Sequence, residues 1–288
     1  MTKANKEISS FKTARTFMKE GTCSEAVMNV LDRAYGYPLE AEEHAVMPLA
    51  GGIVQQGYQC GMLWGACLAA GAQAYRLFGA TPKAEAAAIR ASRRLVESLG
   101  AREGNINCLE ITDTDWTNKW QAAKFLLKGG GISCMRRVVG FAPEAFRVIN
   151  DALAEPDIEE PSSPVSCAAE LARKMGASKM HVVMAAGLAG GIGFSGSGCG
   201  ALGAAIWITG MNNPDEKTGF TADGTKVGEA IDRFLEAAGH EYECSEIVGR
   251  KFESVDDHAG YVYSGGCSNI IEALVGFDVE QKCQESAA

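Results

Sequence analysis

The chain has 288 residues, 47% of them hydrophobic and 22% charged, with a formal charge of -9. At roughly 150 residues per domain, that length suggests two domains or one large one, enough to bury a core. The composition excludes disordered, collagen-like and coiled-coil chains, and an acidic surface with no evident local basic patch argues against nucleic acid or anionic lipid as partners.

In chain order, the opening MTKANKEISSFKTARTFMKEG has no apolar segment of the kind a secretory signal needs, so a cytoplasmic protein is expected. Next comes Thr22-Cys23-Ser-Glu-Ala, and then a stretch from Ala45 to Tyr75 without a single Asp, Glu, Lys or Arg. A second such stretch runs from Met180 to Pro214. Each is long enough to raise the membrane question. Pro48, Gln55, Gln56 and Gln59 break the first and the Gly/Ser run from Gly187 to Gly198 breaks the second, so buried core helices joined by tight turns are expected and no membrane span. Thr81-Pro82 has the form of a helix cap followed by a first-turn proline. The segment Ala154 to Pro164 holds three prolines and four acids without apolar periodicity, and marks a boundary between residues 1–155 and 164–288. Beyond it, Val227, Ala230, Ile231, Phe234 and Leu235 share one helical face.

The two sides of that boundary are copies. Leu49-Ala-Gly-Gly-Ile53 returns as Leu188-Ala-Gly-Gly-Ile192, and the same offset of 139 joins Cys60-Gly61 to Cys199-Gly200 and Gly71 to Gly210. Cys23 answers Cys167, Cys108-Leu-Glu-Ile111 answers Cys244-Ser-Glu-Ile247, and Cys134 answers Cys267. Spacings within the halves are 37, 48 and 26 residues against 32, 45 and 23, differences ascribed to loops. Cys67 and Cys283 have no counterpart and read as structural. An all-α protein is expected, two similar helical bundles from an internal duplication packed about a pseudo-twofold axis.

Almost every matched cysteine stands where a turn enters an apolar helical stretch. Free amides and the positive dipole end at a helix start lower a thiol pKa and stabilise negative charge on sulfur. Flanking glycines let backbone approach sulfur, as bulkier residues would not. Two quartets, Cys23, Cys60, Cys108 and Cys134, and Cys167, Cys199, Cys244 and Cys267, would suit one iron-sulfur cluster each, 2Fe-2S or 4Fe-4S, serving an unidentified redox partner protein. Thiol-disulfide exchange and a structural four-cysteine zinc or interaction module are the alternatives; the absence of Cys-x-x-Cys weakens both.

These residues resemble the C_GCAxxG_C_C family of redox-active proteins, twice over. Cys23-Ser-Glu-Ala-Val27, the Gly-Gly before Cys60, Asn107-Cys108-Leu-Glu and Cys134 resemble one copy; Cys167, Gly190-Gly191, Cys199-Gly-Ala-Leu, Cys244-Ser-Glu-Ile-Val-Gly249 and Cys267 resemble another. Met62 replaces the motif alanine in the first copy, and Ala204 replaces the last motif glycine in the second, where the first keeps Gly65. The resemblance implies a redox-active cysteine cluster and no particular substrate.

Other features carry less. Gly191-Ile-Gly193-Phe-Ser-Gly196 matches a dinucleotide-binding fingerprint but lacks a β-branched strand before it. His44 and His181 precede the shared glycines and read as core or surface histidines. Trp64, Trp116, Trp120, Trp207, Tyr261 and Tyr263 read as core filling before cluster shielding.

Overall fold

The computed structural model describes residues 8–156, 166–215, 222 and 224–285, with side chains described as far as 276. Most of the expected linker, and the side chain of Cys283, lie outside these. Among the described residues the chain is all α, its only β pairing being two isolated bridges. The first half runs α1 (Ser10–Glu20), α2 (Cys23–Tyr35), α3 (Glu40–Ala45), α4 (Gly61–Phe78), α5 (Pro82–Glu103), α6 (Cys108–Thr112), α7 (Lys119–Leu127) and α8 (Gly130–Ala154). The second runs α9 (Cys167–Lys174), α10 (Lys179–Ala186), α11 (Gly200–Asn212), α12 (Lys226–Ala237), α13 (Cys244–Val248), α14 (Val255–Tyr263) and α15 (Ser268–Glu285).

The charge-free stretches include α4 as far as Tyr75 and all of α11, and these helices are buried without a break over residues 61–72 and 200–209, where no side chain is charged. No helix among the described residues is long and apolar enough to cross a membrane. Thr81 caps α5 by accepting from the Ala84 N–H, with Pro82 in the first turn. In α12, Val227, Ala230 and Phe234 are buried, with Ile231 and Leu235 beside them.

One hydrophobic core spans both halves. The contacts across it are reciprocal: α3 of the first half packs on α11, and α10, in the corresponding place of the second half, packs on α4. A Cβ on Gly71 would run into Met184, and one on Gly210 would meet Ala45, which stands 139 residues before Met184. Two positions touch their own counterparts. Gly198, counterpart of Gln59, would place a Cβ 2.7 Å from the Gln59 amide oxygen, and a Cβ on Gly203, counterpart of Trp64, would overlap the Trp64 ring.

The Leu-Ala-Gly-Gly-Ile segments adopt one conformation in both halves. Residues 51–55 and 190–194 each form an unbroken run of five positive φ angles, a left-handed turn. Their hydrogen bonds match, with Val54 N–H to Pro48 C=O and Gly193 N–H to Gly187 C=O, then Gly57 N–H to Gly51 C=O and Gly196 N–H to Gly190 C=O. Ile53, Val54, Ile192 and Phe194 sit at φ between 48° and 67°, each at a cost of roughly 1–2 kcal/mol that the surrounding packing offsets. The fingerprint glycines 191, 193 and 196 lie in or just after this turn, which follows α10 and no strand, so the nucleotide-binding context is missing.

Candidate functional site

Each half places its first three cysteines by the same local devices. Cys23 and Cys167 are the first residues of α2 and α9, each behind a hydroxyl cap: Thr22 accepts from Glu25 N–H and Ser166 from Ala169 N–H. Cys60 and Cys199 are themselves the cap residues of α4 and α11. Cys108 and Cys244 open α6 and α13. A two-residue antiparallel pairing then locks the second and third cysteines together. Cys60 N–H donates to Ile106 C=O at 2.7 Å and Cys108 N–H to Tyr58 C=O at 2.7 Å; the second half repeats this with Cys199 to Tyr242 at 2.8 Å and Cys244 to Ser197 at 2.9 Å.

The fourth cysteines are not equivalent. From Cys108 and Cys244 onward the halves keep an offset of 136 through helices of equal length, as far as Gly130 and Gly266, each of which lies flat against an aromatic ring, Phe125 or Tyr261. The difference between spacings of 26 and 23 is therefore no loop difference. Cys267 directly follows Gly266, at a left-handed φ of 60°, just before α15; Cys134 lies one turn inside α8. A three-residue step keeps a side chain on one helix face, so Cys134 still points at the site from a turn higher. Seven of the eight cysteines thus stand at helix starts and Cys134 does not.

The sulfurs interact within quartets. Cys23 shares a hydrogen bond with Cys60, and Cys60 with Cys108, while Cys134 feels the charge of Cys23. In the second half Cys167 and Cys244 each feel Cys199 and Cys267. Cys67, buried inside α4, has Ser92 as its neighbour and belongs to neither group. All nine described cysteines are free thiols, and no group of three or more His, Cys, Asp or Glu among the described residues is closed up as a metal-holding set.

Backbone N–H groups do reach these sulfurs. Gly51 and Cys23 serve Cys23, Gly190 and Ala168 serve Cys167, Met62 serves Cys60, and Ala201 and Leu202 serve Cys199. The left-handed turn is what aims Gly51 and Gly190. The expected lowering of thiol pKa is nonetheless reversed. The hydrogen bond with Cys60, then burial, hold Cys23 well above the usual thiol range; the bond with Cys108, then burial, do the same to Cys60. Burial pushes Cys134 and Cys199 up to about 12, and raises Cys167, Cys244 and Cys267. Loss of water and the proximity of other sulfurs outweigh the one or two amides at each sulfur, and at Cys134 they outweigh Arg137 as well.

Glycine plays two different parts. A Cβ on Gly61 would sit 2.7 Å from the Cys23 sulfur, so this glycine does make room for sulfur. At Gly200 the same atom would overlap the Leu188 carbonyl oxygen, so there the glycine serves backbone packing. The aromatics also divide. Trp64 and Trp207 are core, donating to the carbonyls of Gln59 and Glu42; Trp116 walls the first site; Tyr261 donates to Cys267; Trp120 and Tyr263 are exposed. His44 pairs with Glu25 and His181 with Glu42, and His258 is buried beside Phe194 and Phe252.

Beside the first quartet lies a cavity of about 290 Å³, walled by Phe17, Trp116, Phe125 and Leu126 and reached by Cys23, Cys108 and Cys134. A second feature escaped sequence reasoning: Gln59, fully buried, donates from Nε2 to the carbonyls of Gly191 (2.8 Å) and Gly198 (3.0 Å). It sits between Cys60 and Cys199, one residue from the first and one hydrogen bond plus one peptide from the second. Its signal was the glycine at its counterpart position.

Together these observations define a duplicated helical protein in which each half brings matched cysteines near one another. The family model described as "Putative redox-active protein (C_GCAxxG_C_C)" matches residues 22–142 and again 165–280, and the chain belongs to that family as a tandem duplication. No curated protein and no solved structure matches it.

Proposed function

We propose that each quartet holds one iron-sulfur cluster and that the protein carries single electrons between redox partners. The observation supporting this best is the gathering of four thiols in each half, seven of the eight at helix starts, with backbone N–H groups turned to the sulfurs and, in the first half, an apolar cavity of about 290 Å³ among them. Such a donor set fits a thiolate-ligated cluster. Buried thiols that resist ionising alone need a cationic centre to stabilise them as thiolates. Bound there, a cluster supplies reversible one-electron storage. The chain's own groups bind it through Cys23, Cys60, Cys108 and Cys134 or through Cys167, Cys199, Cys244 and Cys267. Their amides offset negative charge, and the apolar walls exclude water. Gln59 links the two sites by a short covalent and hydrogen-bonded route.

In this reading the halves are two units, 1–155 and 164–288, about a pseudo-twofold axis passing near Gln59 and Trp64, since only residues on such an axis touch their own counterparts. Free buried thiols fit a reducing compartment such as the cytoplasm.

Dithiol-disulfide exchange is the second reading, favoured by the hydrogen bonds linking Cys23, Cys60 and Cys108. Iron, zinc and sulfide analysis with visible absorption of anaerobically purified protein separates the two. Cys60→Ser and Cys199→Ser should each lose about half the iron, on the expectation of one thiolate-ligated cluster per quartet, and Cys67→Ser none. Iron-free protein in which Cys23 and Cys60 oxidise to a disulfide would favour the second reading.

A further inference from the structure

Helix α7 differs from every other long helix among the described residues in burying none of its residues. Its sequence, Lys-Trp-Gln-Ala-Ala-Lys-Phe-Leu-Leu, is nevertheless apolar. Trp120 is 87% exposed and Leu127 89%, and Leu109, Leu126 and Ile132 around them are also exposed. The cavity beside the cysteines undercuts α7 on one side, and a second cavity, of about 690 Å³, lies along Thr112, Gln121, Lys124 and Lys128 on another. A helix this apolar and this poorly covered has a face that the chain itself does not use.

Its charge points to what covers that face. From Trp116 to Pro143 the sequence holds Lys119, Lys124, Lys128, Arg136 and Arg137 and no acid, within a chain of net charge -9, so that five cations outnumber the two acids, Asp113 and Asp115, that stand just before α7. Arg137 is engaged by Glu103 and Ser133, whereas Lys119, Lys124, Lys128 and Arg136 are exposed. This is a local basic patch, contrary to the expectation of none. The matching helix α14 is the opposite: it buries His258, Ala259 and Val262, begins Val-Asp-Asp, and is pinned by Arg250 to Asp257.

We infer that α7 and its flanks are the docking surface for a small acidic electron-carrier protein, set over the first cysteine site. The inference rests on the electron-carrier reading above. Exposed Trp and Leu within a lysine rim have the composition of an interface centre with a steering border. A small carrier touches only this patch, whereas an extended anionic membrane would also face the acidic remainder of the surface, within a Debye length of about 8 Å at physiological salt. Docking here brings the carrier to the cavity lined by Cys134, Trp116 and Leu126.

Binding of anaerobic full-length protein to a small acidic ferredoxin, at low and high salt, tests this. Wild type should bind at low salt and weaken as salt rises. The triple variant Lys119→Glu, Lys124→Glu, Lys128→Glu and the double variant Trp120→Ser, Leu127→Ser should each weaken binding by about tenfold or more. Lys179→Glu should change nothing, and thermal unfolding should be unaltered throughout because all these side chains are exposed. Unchanged affinity in the triple variant, no association at low salt, or tighter binding to phosphatidylglycerol vesicles than to the ferredoxin each overturns the proposal. Iron content of the same samples keeps the two readings apart: iron-free protein that still docks counts against the cluster alone, and iron-loaded protein that does not dock counts against the docking surface alone.

Discussion

The region from Cys108 to Gly130 and that from Cys244 to Gly266 have the same helices at a constant offset of 136, yet they cover their sites differently. In the second, α14 is packed down, Arg250 grips Asp257 at 2.7 Å, and the Tyr261 hydroxyl reaches Cys267. In the first, Phe125 offers no hydroxyl, the last cysteine has moved one turn into α8, and α7 stands over an open cavity. The two copies keep the frame that places the first three thiols and differ in how tightly the helix beside it is packed.

The comparison breaks first at the glycines. Gly200→Ala should destabilise the protein by about 3–5 kcal/mol, because its Cβ meets a backbone carbonyl that cannot move aside. Gly61→Ala should cost less, about 1–3 kcal/mol, because the obstructing atom is the Cys23 sulfur, but it should empty the first site of iron and leave the second loaded. Thermal unfolding with iron analysis reads both, and equal stability losses would erase the distinction between sulfur-facing and packing glycines.

Alkaline titration of the cluster-free protein asks whether the sites share the burden of buried thiols. The folded pKa values lie above the unfolded ones, so the folded state retains protons that the unfolded chain releases. Stability should fall as pH rises past about 8.5, by about 1.4 kcal/mol per pH unit for each retained proton, until the folded value is reached. Cys134→Ser and Cys199→Ser, both held up to about 12, should each remove one such increment. Urea unfolding between neutral and alkaline pH measures it, and a flat profile would show that the thiols are not protonated in the fold.

Tyr261→Phe is a smaller change. Losing a donor to sulfur makes a negative cluster harder to reduce, so the second-site potential should drop by about 40 mV, the equivalent of a hydrogen bond of about 1 kcal/mol. Phe125→Tyr should leave the first site's potential within error, since Cys134 no longer stands where Cys267 does. The slightest effect concerns the clamp on α14. Arg250 first, then the Glu253 N–H, hold the Asp257 carboxyl down to about 2. Its contribution is present above the ordinary carboxylate range and disappears as pH falls through about 2. The Glu253 amide shift in NMR should titrate with that midpoint, and a midpoint near 4 would mean the clamp is open.

Much of this protein was legible in its sequence. The offset of 139 identified the duplication because buried helices tolerate few insertions, and the charge-free stretches announced α11 and the first three turns of α4 because an enclosed helix carries no charge on any face. The order of the cysteines alone paired each of eight with a counterpart in the other half. Local sequence could not show that the Leu-Ala-Gly-Gly-Ile segment turns left-handed, since isoleucine, valine and phenylalanine avoid that region unless packing enforces it. Nor could it show that Gly200 answers to Leu188 while Gly61 answers to Cys23, or that Gln59 joins the two sites, because these depend on which backbone lies opposite. Thiol ionisation was misjudged for the same reason. A helix start acts over one turn and is visible in sequence, whereas desolvation and neighbouring sulfurs come from segments tens of residues away and exist only once the chain has folded.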